Sequence, residues 1–377
     1  MDSATQVSLI GELRDLARAG SCYLDELEVQ NPVAKYTDES HFAREQASLF
    51  QVMPRIAAHA SELPSANSFL RREIAGRSVL ITRDSEGDVH AFLNVCRHRG
   101  ARLVDDDSGC RAAFSCPYHA WRYSNRGELL KVPFAEQGFP DLDMASSGLV
   151  RLAVAERSGF IWVTPSADIA MDIDSYLGPL AEDLAWLDGA SLEIKAESVR
   201  ERRANWKILI EGGIEAYHFR IVHRKTIGPH FPNNLSSYQS FGDNIRSILP
   251  RAGVGDIDMA SLGPDEIRDR ANVLYTFFPL TNLLVMQDHI VWIDNEPLAP
   301  DCTRLRFCTL APRENTDEEH WLRNDAIAQD TLAEDGEVGE SIQRGIDSGA
   351  NTAFRFGRFE GALAAFNASI DRHLPAH

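Results

Sequence analysis

The sequence predicts an α+β protein built in two parts, and three observations carry that prediction. Short β-rich segments separated by turn residues fill the stretch from about 45 to 165. Helical spacing of apolar residues marks 3–20, 40–56 and 326–346. Residues 272–284 and 289–294 have the composition of strands in a second sheet. We therefore expect an all-β domain at 45–165 and a second, mixed domain formed by 1–44 and 166–377.

Individual elements follow from local signals. The β-rich segments 78–82 and 89–95 flank the turn formers of 84–88, which predicts a hairpin. The segment 206–217 has helical spacing. Apolar residues near the C-terminus recur at three- and four-residue steps, which predicts a buried helix face: Phe356, Phe359, Leu363, Phe366 and Ile370. Five other residues are candidates for lining a substrate cavity or simply for core packing: Phe277, Phe278, Leu284, Met286 and Trp292.

The charge of the chain limits its partners. The formal net charge is −18, whereas nucleic-acid binding requires a basic surface. The same charge disfavours anionic lipid surfaces, and no apolar run approaches the roughly 20 residues of a membrane-spanning helix. The N-terminal segment 1–20 has mixed charges and does not resemble a signal peptide. We expect a cytoplasmic protein that binds neither nucleic acid nor membrane.

Two of the six cysteines lie beside histidines at ligand-like spacing. Cys96-Arg-His98 is followed, after seventeen intervening residues, by Cys116-Pro-Tyr-His119. We expect each pair to lie at the tip of a β-hairpin. Two thiolates can hold one iron of a [2Fe–2S] cluster and two imidazoles the other, an arrangement with less negative charge and a higher potential than four thiolates. A structural zinc site is the alternative, although zinc sites usually pair cysteine with cysteine and histidine with histidine.

These residues carry a family resemblance. The segments Asn94-Val-Cys96-Arg-His98-Arg-Gly100 and Tyr118-His119-Ala-Trp121 resemble the Rieske domain of ring-hydroxylating oxygenase large subunits. About 100 residues later, Asn205-Trp-Lys and Glu215-Ala-Tyr-His218, with His223 five residues on, resemble the catalytic domain of the same family. The resemblance covers most of the chain. It implies a catalytic domain in which helices flank an antiparallel sheet.

A mononuclear Fe(II) site follows from the second segment. Two histidines and one carboxylate can form a facial triad that leaves positions open for O2. His218 and His223 supply the histidines. The family takes its carboxylate from a late helix reading E-D-x4-E-x2-Q, which matches Glu334-Asp335 through Glu340 and Gln343. The resemblance therefore implies Asp335 as the third ligand, with Asp330 as the second choice and a solvated acidic helix face as the alternative reading.

Glu215 has a separate implied role. In the family, an acid at this position bridges a cluster histidine of one subunit and an iron-ligand histidine of its neighbour, which makes Glu215 a catalytic candidate. Most ring dioxygenases carry Asp here, and Glu resembles the carnitine and glycine-betaine oxygenases. That subgroup usually reads Glu-Asn-Tyr where this chain has Glu211-Gly212-Gly213. Two glycines leave room for a bulkier substrate.

The resemblance implies the oxygenase component of a multicomponent system. Electrons from NAD(P)H would arrive through a reductase or a ferredoxin, pass through a [2Fe–2S] cluster to Fe(II), and activate O2. The product would be a hydroxylated, dihydroxylated or demethylated aromatic or quaternary ammonium compound. A homotrimer, or a multiple of three, is expected. Two other functions stay open at this point: an electron carrier without oxygenase activity, and a zinc-bound structural or binding protein.

Overall fold

The computed structural model describes residues 1–263 and 266–374. The chain divides into two compact units, one formed by Met1–Phe50 with Asp174–His377 and the other by Gln51–Ile173. The limits of 45 and 165 stay a prediction for the functional domains, since compactness alone does not define a functional unit. The helices and strands of the described residues give the α+β fold expected from the sequence.

Helices and strands are numbered here in chain order. Helices α1 to α11 are Ser3–Arg18, Ala34–Thr37, Glu39–Glu45, Ala135–Gly138, Ile173–Leu177, Leu180–Trp186, Trp206–Gly213, Phe219–Val222, Ile267–Arg270, Glu318–Asp347 and Gly361–His373. Strands β1 to β19 are Val29–Pro32, Arg55–His59, Ser68–Ile74, Arg77–Arg83, Val89–Leu93, Ser108–Cys110, Ala113–Ser115, Arg122–Ser124, Leu129–Lys131, Arg151–Arg157, Phe160–Thr164, Leu192–Arg202, Ser237–Phe241, Asn244–Pro250, Ala271–Phe277, Thr281–Val285, Ile290–Ala299, Cys302–Pro312 and Ala353–Phe356.

The smaller unit is a β structure with two sheets. In its described residues, seven strands pair in the order β2-β11-β10-β5-β4-β3-β6, and β7, β8 and β9 form a second sheet. The predicted hairpin is confirmed, because β4 and β5 pair antiparallel with Val79 opposite Leu93. Aromatic side chains fill the core between the sheets, including Phe69, Phe92 and Phe114. Cys96 and Cys116 belong to the same buried cluster.

The larger unit is organised around one antiparallel sheet of seven strands among the described residues, in the order β12-β18-β17-β16-β15-β14-β13. The single strand expected at 272–284 is wrong: β15 ends at Phe277 and β16 begins at Thr281. Pro279 lies between them and has no N–H to donate to a ladder. The two strands therefore form a hairpin, with Thr276 opposite Asn282.

Several helices begin or end at residues other than those expected from the sequence. Helix α1 is confirmed at Ser3–Arg18, but the helix expected at 40–56 ends with a π-turn at Gln46–Phe50, and β2 begins at Arg55. The helix expected at 206–217 ends at Gly213, because Gly212 and Gly213 have low helix propensity. Helix α10 begins earlier than expected, where the Asp317 carboxylate accepts the His320 N–H at 3.0 Å.

The last helix packs as expected. Leu363, Phe366 and Ile370 are buried on α11, whereas Phe356 ends β19 and Phe359 precedes the helix.

Within the ranges 1–263 and 266–374, no helix combines the length and apolarity required to cross a bilayer.

Candidate functional site

Two loops of the smaller unit have the same backbone pattern. The N–H of Cys96 donates to the carbonyl of Ala101, and the N–H of Gly100 donates back to the carbonyl of Cys96. In the second loop, Cys116 donates to Trp121, and Ala120 donates to Cys116. The fourth residue after each cysteine has a positive φ, 76° at Gly100 and 55° at Ala120. Each loop thus turns its cysteine inward and leaves its histidine farther out.

The two cysteines lie together in the core. Both thiols are buried and free of disulfides, and both belong to the same buried core cluster. The Tyr123 hydroxyl accepts the N–H of Arg97 at 3.0 Å and lies 3.4 Å from the Cys96 sulfur. Since the Tyr123 oxygen accepts the Arg97 N–H, the hydroxyl hydrogen of Tyr123 can point to the Cys96 sulfur. A hydrogen-bond donor at this place stabilises a thiolate ligand. Burial raises the pKa of the Cys96 thiol.

The two histidines lie outside the cysteines. The rings of His98 and His119 are 4.6 Å apart between centroids, and His98 stacks on Trp121 at 4.9 Å with an interplanar angle of 7°. His98 is half-buried and His119 is exposed. Burial, with the charges of His119 and Arg99, lowers the pKa of His98 and favours the neutral imidazole that metal ligation requires. Two inner thiols and two outer imidazoles fit a [2Fe–2S] cluster, and Cys2His2 also fits zinc.

In the larger unit, His218 and His223 flank one helical turn. Helix α7 ends at Gly213, and the four-residue α8 has His218 as its N-cap and His223 as its C-cap. The Nε2 atoms of the two imidazoles are 3.2 Å apart. Asp335 on α10 places its Oδ1 atom 2.9 Å from His223 Nε2 and 3.5 Å from His218 Nε2. These three side chains form a cluster whose ligand atoms all lie within 4.8 Å of one another.

Two further carboxylates orient the imidazoles from behind. Glu215 accepts a hydrogen bond from His218 Nδ1, and Glu334 accepts one from His223 Nδ1 at 2.8 Å. With Nδ1 as the donor in both rings, we assign the acceptor lone pair to both Nε2 atoms. Two imidazole lone pairs and a carboxylate oxygen then face one another, which is repulsive without a cation between them. This donor set fits Fe(II).

The electrostatics of the cluster agree with this assignment. Burial alone would lower the pKa of His218, but hydrogen bonds to Asp335 and Glu215 raise it to about 9. The pKa of His223 is raised for the same reason, by Asp335 and Glu334 against its burial. The pKa of Asp335 is lowered by both histidines, although burial opposes the shift. The site therefore attracts positive charge, and a metal ion competes with protons for it.

A cavity of about 610 Å3 opens beside the triad. It lies against one face of the large sheet, where Leu274, Leu284 and Phe307 contribute side chains. Gly212 and Gly213 line it, and the space beside each Cα is open, as expected from the two glycines. Of the five cavity candidates, Leu284 and Met286 line it. Phe277, Phe278 and Trp292 are buried elsewhere.

A second cavity, of about 630 Å3, shares part of the same wall. It is lined by His218 and Asp335, and it is acidic because Glu211, Glu215 and Glu360 also face it. The exposed side chains of Tyr217 and Ile221 belong to the adjoining segment. The candidate triad is thus reached from two sides of the larger unit.

The sequence matches two family models. Residues 185–376, just over half of the chain, match the ring hydroxylating alpha subunit (catalytic domain), and residues 54–152 match the Rieske [2Fe-2S] domain. The chain belongs to this family. The family resemblance predicted from the sequence is confirmed, and the domain match favours an iron–sulfur cluster over zinc at the Cys96 loops. As a ring-hydroxylating alpha subunit, the chain is also expected to hold mononuclear iron.

Relatives of this alpha subunit include two kinds of oxygenase. The glycine betaine monooxygenase oxygenase subunit of Chromohalobacter salexigens is 35% identical over 213 residues, covering 56% of this chain and 46% of the relative. The anthranilate 1,2-dioxygenase large subunit of Acinetobacter baylyi is 31% identical over 193 residues, covering 50% and 41%. The chain therefore spans about half the length of the curated relatives it matches.

A solved structure confirms the fold. The quaternary ammonium Rieske monooxygenase CntA in complex with L-carnitine superimposes with a TM-score of 0.80 over 92% of this chain and 96% of the other. The sequence identity is 22%, so the likeness supports the fold of this alpha subunit and nothing finer.

Sequence reasoning missed Glu334. In the sequence, Glu334 is only the residue before Asp335 in an acidic run. Neighbouring residues of a helix point about 100° apart, so the two carboxylates can have different partners. In the structure Glu334 binds His223 and Thr226. Asp330, the second choice for the carboxylate ligand, is exposed and lies outside the three-residue cluster.

Proposed function

We propose that this chain is the oxygenase component of a Rieske-type non-haem iron oxygenase acting on a small organic substrate. The observation that carries the proposal is the convergence of His218, His223 and Asp335 beside a cavity of substrate size. The proposed cluster ligands are Cys96, His98, Cys116 and His119. When bound, the cluster supplies single electrons and the Fe(II) site activates O2.

The residues of the chain have distinct parts in this function. His218, His223 and Asp335 hold the iron on one face, so that other coordination positions stay open. Glu215 and Glu334 fix the imidazole tautomers through the Nδ1 atoms. The largely apolar cavity excludes water from the substrate and orients it against the triad. Hydroxylation, dihydroxylation and demethylation are all compatible with this arrangement.

We further propose an NAD(P)H-dependent reductase or ferredoxin as the electron donor, and a homotrimer or a multiple of three as the assembly. The exposed His119 and the Glu215 that faces the acidic cavity support electron transfer between subunits, with Glu215 of one chain bonding His119 of the next. A head-to-tail interface that closes into a ring provides such contacts.

A reconstitution experiment tests the function. The purified chain, loaded with iron and sulfide, should be coloured and give a rhombic EPR signal after reduction. With a surrogate reductase, NADH and a panel of aromatic and quaternary ammonium compounds, O2 uptake should accompany a product heavier by one or two oxygens, or a demethylated one. A colourless protein with stoichiometric zinc would contradict the cluster. A coloured protein that never couples O2 uptake to product would indicate an electron carrier.

Three variants assign the iron ligands. His223→Ala and Asp335→Ala should lose mononuclear iron and turnover while keeping the visible spectrum of the cluster. Asp330→Ala is the matched control on the same helix, and it should keep both iron and turnover. If Asp330→Ala loses iron and Asp335→Ala does not, the third ligand is wrongly assigned.

A further inference from the structure

The cavity beside the triad has one fixed positive charge at its sheet side. Among the described residues that line it, Arg251 is the only lysine or arginine, and Asp335 is the only aspartate or glutamate. Because Asp335 faces the two imidazoles of the triad, it does not neutralise charge elsewhere in the cavity. Arg251 directly follows β14, on the sheet that forms the cavity floor.

Among the described residues, the guanidinium of Arg251 is held by two amides, and no carboxylate pairs with it directly. Its Nη1 donates to Gln287 Oε1 at 3.3 Å, and its Nη2 donates to the buried Asn272 Oδ1 at 3.2 Å. Gln287 in turn donates to Asp269 at 2.8 Å, so the Asp269 carboxylate is linked to Arg251 through an amide. By contrast, Arg246 on β14 is paired directly with Asp183 at 2.6 Å.

Apart from Asp335, the described lining consists mostly of histidine, amide and apolar side chains. His289 also lines the cavity, and its Nδ1 lies 2.7 Å from Asp288. Burial lowers the pKa of His289 and favours its neutral form. The rest of the lining is mostly apolar, with Phe219, Phe231 and Phe307 as its aromatic residues. Phenylalanine faces bind a cation weakly, and no carboxylate of the described lining is left to balance one.

We infer that Arg251 binds the carboxylate of the substrate, and that the substrate is a small apolar acid whose body lies along the sheet toward the triad. This inference rests on the proposed function, since it names the substrate class of the same cavity. A guanidinium that is preorganised by two amides, with no ion-pair partner in the described part of the chain, offers its remaining N–H groups to a carboxylate in a bidentate geometry. A cavity of about 610 Å3 accommodates a one-ring acid with room to spare.

Binding experiments test the inference without turnover. The probes are benzoate, its neutral isostere benzamide, and glycine betaine, titrated by calorimetry into the full chain loaded with iron and cluster. We expect benzoate to bind more tightly than benzamide or glycine betaine. Arg251→Gln should weaken benzoate by roughly 10- to 100-fold, the range for a lost charge-assisted hydrogen bond, and leave benzamide unchanged. Arg304→Gln, a partly exposed arginine paired with Glu201, is the control and should change neither.

Two further comparisons remove alternatives. Benzoate could bind iron directly, so the titration is repeated in the iron-free His223→Ala background, where dependence on Arg251 should persist. Equal binding of benzoate and benzamide, equal loss of both in Arg251→Gln, or benzoate affinity that vanishes with the iron would each overturn the inference. O2 uptake reports separately on the proposed function: Arg251-dependent binding without any turnover would refute the function alone, and turnover of carboxylate substrates by Arg251→Gln with the wild-type kcat/KM would refute the inference alone.

Discussion

At the scale of single residues, the candidate iron site depends on carboxylates that are not metal ligands. Glu215 and Glu334 each accept an N–H from one imidazole, and in doing so they aim both Nε2 atoms at Asp335. Partners of this kind commonly change metal affinity by one to two orders of magnitude. Five residues therefore build the candidate site, and three of them are the proposed metal ligands.

Removing the acceptor behind His223 should weaken iron binding. In Glu334→Gln the amide can donate to Nδ1 as well as accept from it, so the tautomer of His223 is no longer fixed. We expect an iron affinity about 10- to 100-fold lower, measured by competition with a chelator. Glu337→Gln, an exposed residue on the same helix, should bind iron like the wild type. An unchanged affinity in Glu334→Gln would show that its bond to His223 has no functional role.

Glu211 makes stability depend on pH. Burial raises the pKa of its carboxyl from 4.5 to about 7, against hydrogen bonds from Asn367 and Tyr36 that lower it. Because the folded-state pKa is raised, the stabilising contribution of this group is full below about 4.5 and is lost as the pH rises through about 7. The loss is of the order of a few kcal/mol.

The matched variant for this prediction is Glu211→Gln, which cannot titrate. Urea unfolding of metal-free protein between pH 4.5 and 8 should show the free energy of unfolding of the wild type falling relative to that of the variant. A constant difference across this range would mean that the Glu211 carboxyl has an ordinary pKa in the folded protein.

At the scale of elements, helix α7 ends in two glycines, Gly212 and Gly213, which are poor helix formers. Gly212 lies within α7, next to open space on the cavity side. Replacing it with alanine should raise the free energy of unfolding by about 0.5–1 kcal/mol, since glycine is the poorer helix former. The added methyl also reduces the volume of the substrate cavity.

Gly345 on α10 is the control for that substitution. It also has open space around its Cα, and it does not line the substrate cavity. Gly345→Ala should therefore gain similar stability without any change in substrate range, whereas Gly212→Ala should lose activity on its bulkiest substrates. Thermal unfolding and relative kcat/KM across a size series measure the two effects. Loss of stability in Gly212→Ala would indicate that the space beside it is filled.

The helices and strands show most clearly which parts of the fold can be predicted from the sequence. The hairpin of β4 and β5 and the helix α1 were predictable because turn residues and apolar periodicity are local signals. The split between β15 and β16 was not, because the residues that join them are apolar apart from a single turn former, Pro279. The domain that carries Cys96, His98, Cys116 and His119 was predictable from their spacing together with the family resemblance. Glu334 and Arg251 were not, since their partners lie far away in the chain and only the fold brings them together.

At the scale of the whole molecule, the predicted trimer has a direct test. A His119→Ala chain lacks a proposed cluster ligand, and a His223→Ala chain lacks a proposed iron ligand, so each alone should be inactive. If electrons cross between subunits, co-expressed chains should form hybrid oligomers that recover measurable turnover. Intrachain transfer would leave the hybrids inactive. Light scattering should give a multiple of three, and a fully active monomer would refute the assembly.

Glu215→Gln completes this test. The amide can still hydrogen-bond His218, but it lacks the charge that favours imidazole N–H donors on both sides. Both metal centres should stay occupied, and the oxidation of the pre-reduced cluster by O2 and substrate should slow in a single-turnover experiment. An unchanged rate in this variant would remove Glu215 from the electron path.

The placement of Arg251 on the floor of the substrate cavity bears on the regiochemistry of the reaction. Arg251 extends from the end of a sheet strand, and the triad is held by α8 and α10, so the two lie in separate elements of one compact unit. If Arg251 anchors the carboxylate of the acid, the iron meets one particular carbon. It is the carbon whose distance from the carboxylate equals the distance from Arg251 to the iron. Isomers of one acid that differ only in where a methyl group stands should be oxidised at the same distance from the carboxylate, and so at chemically different carbons.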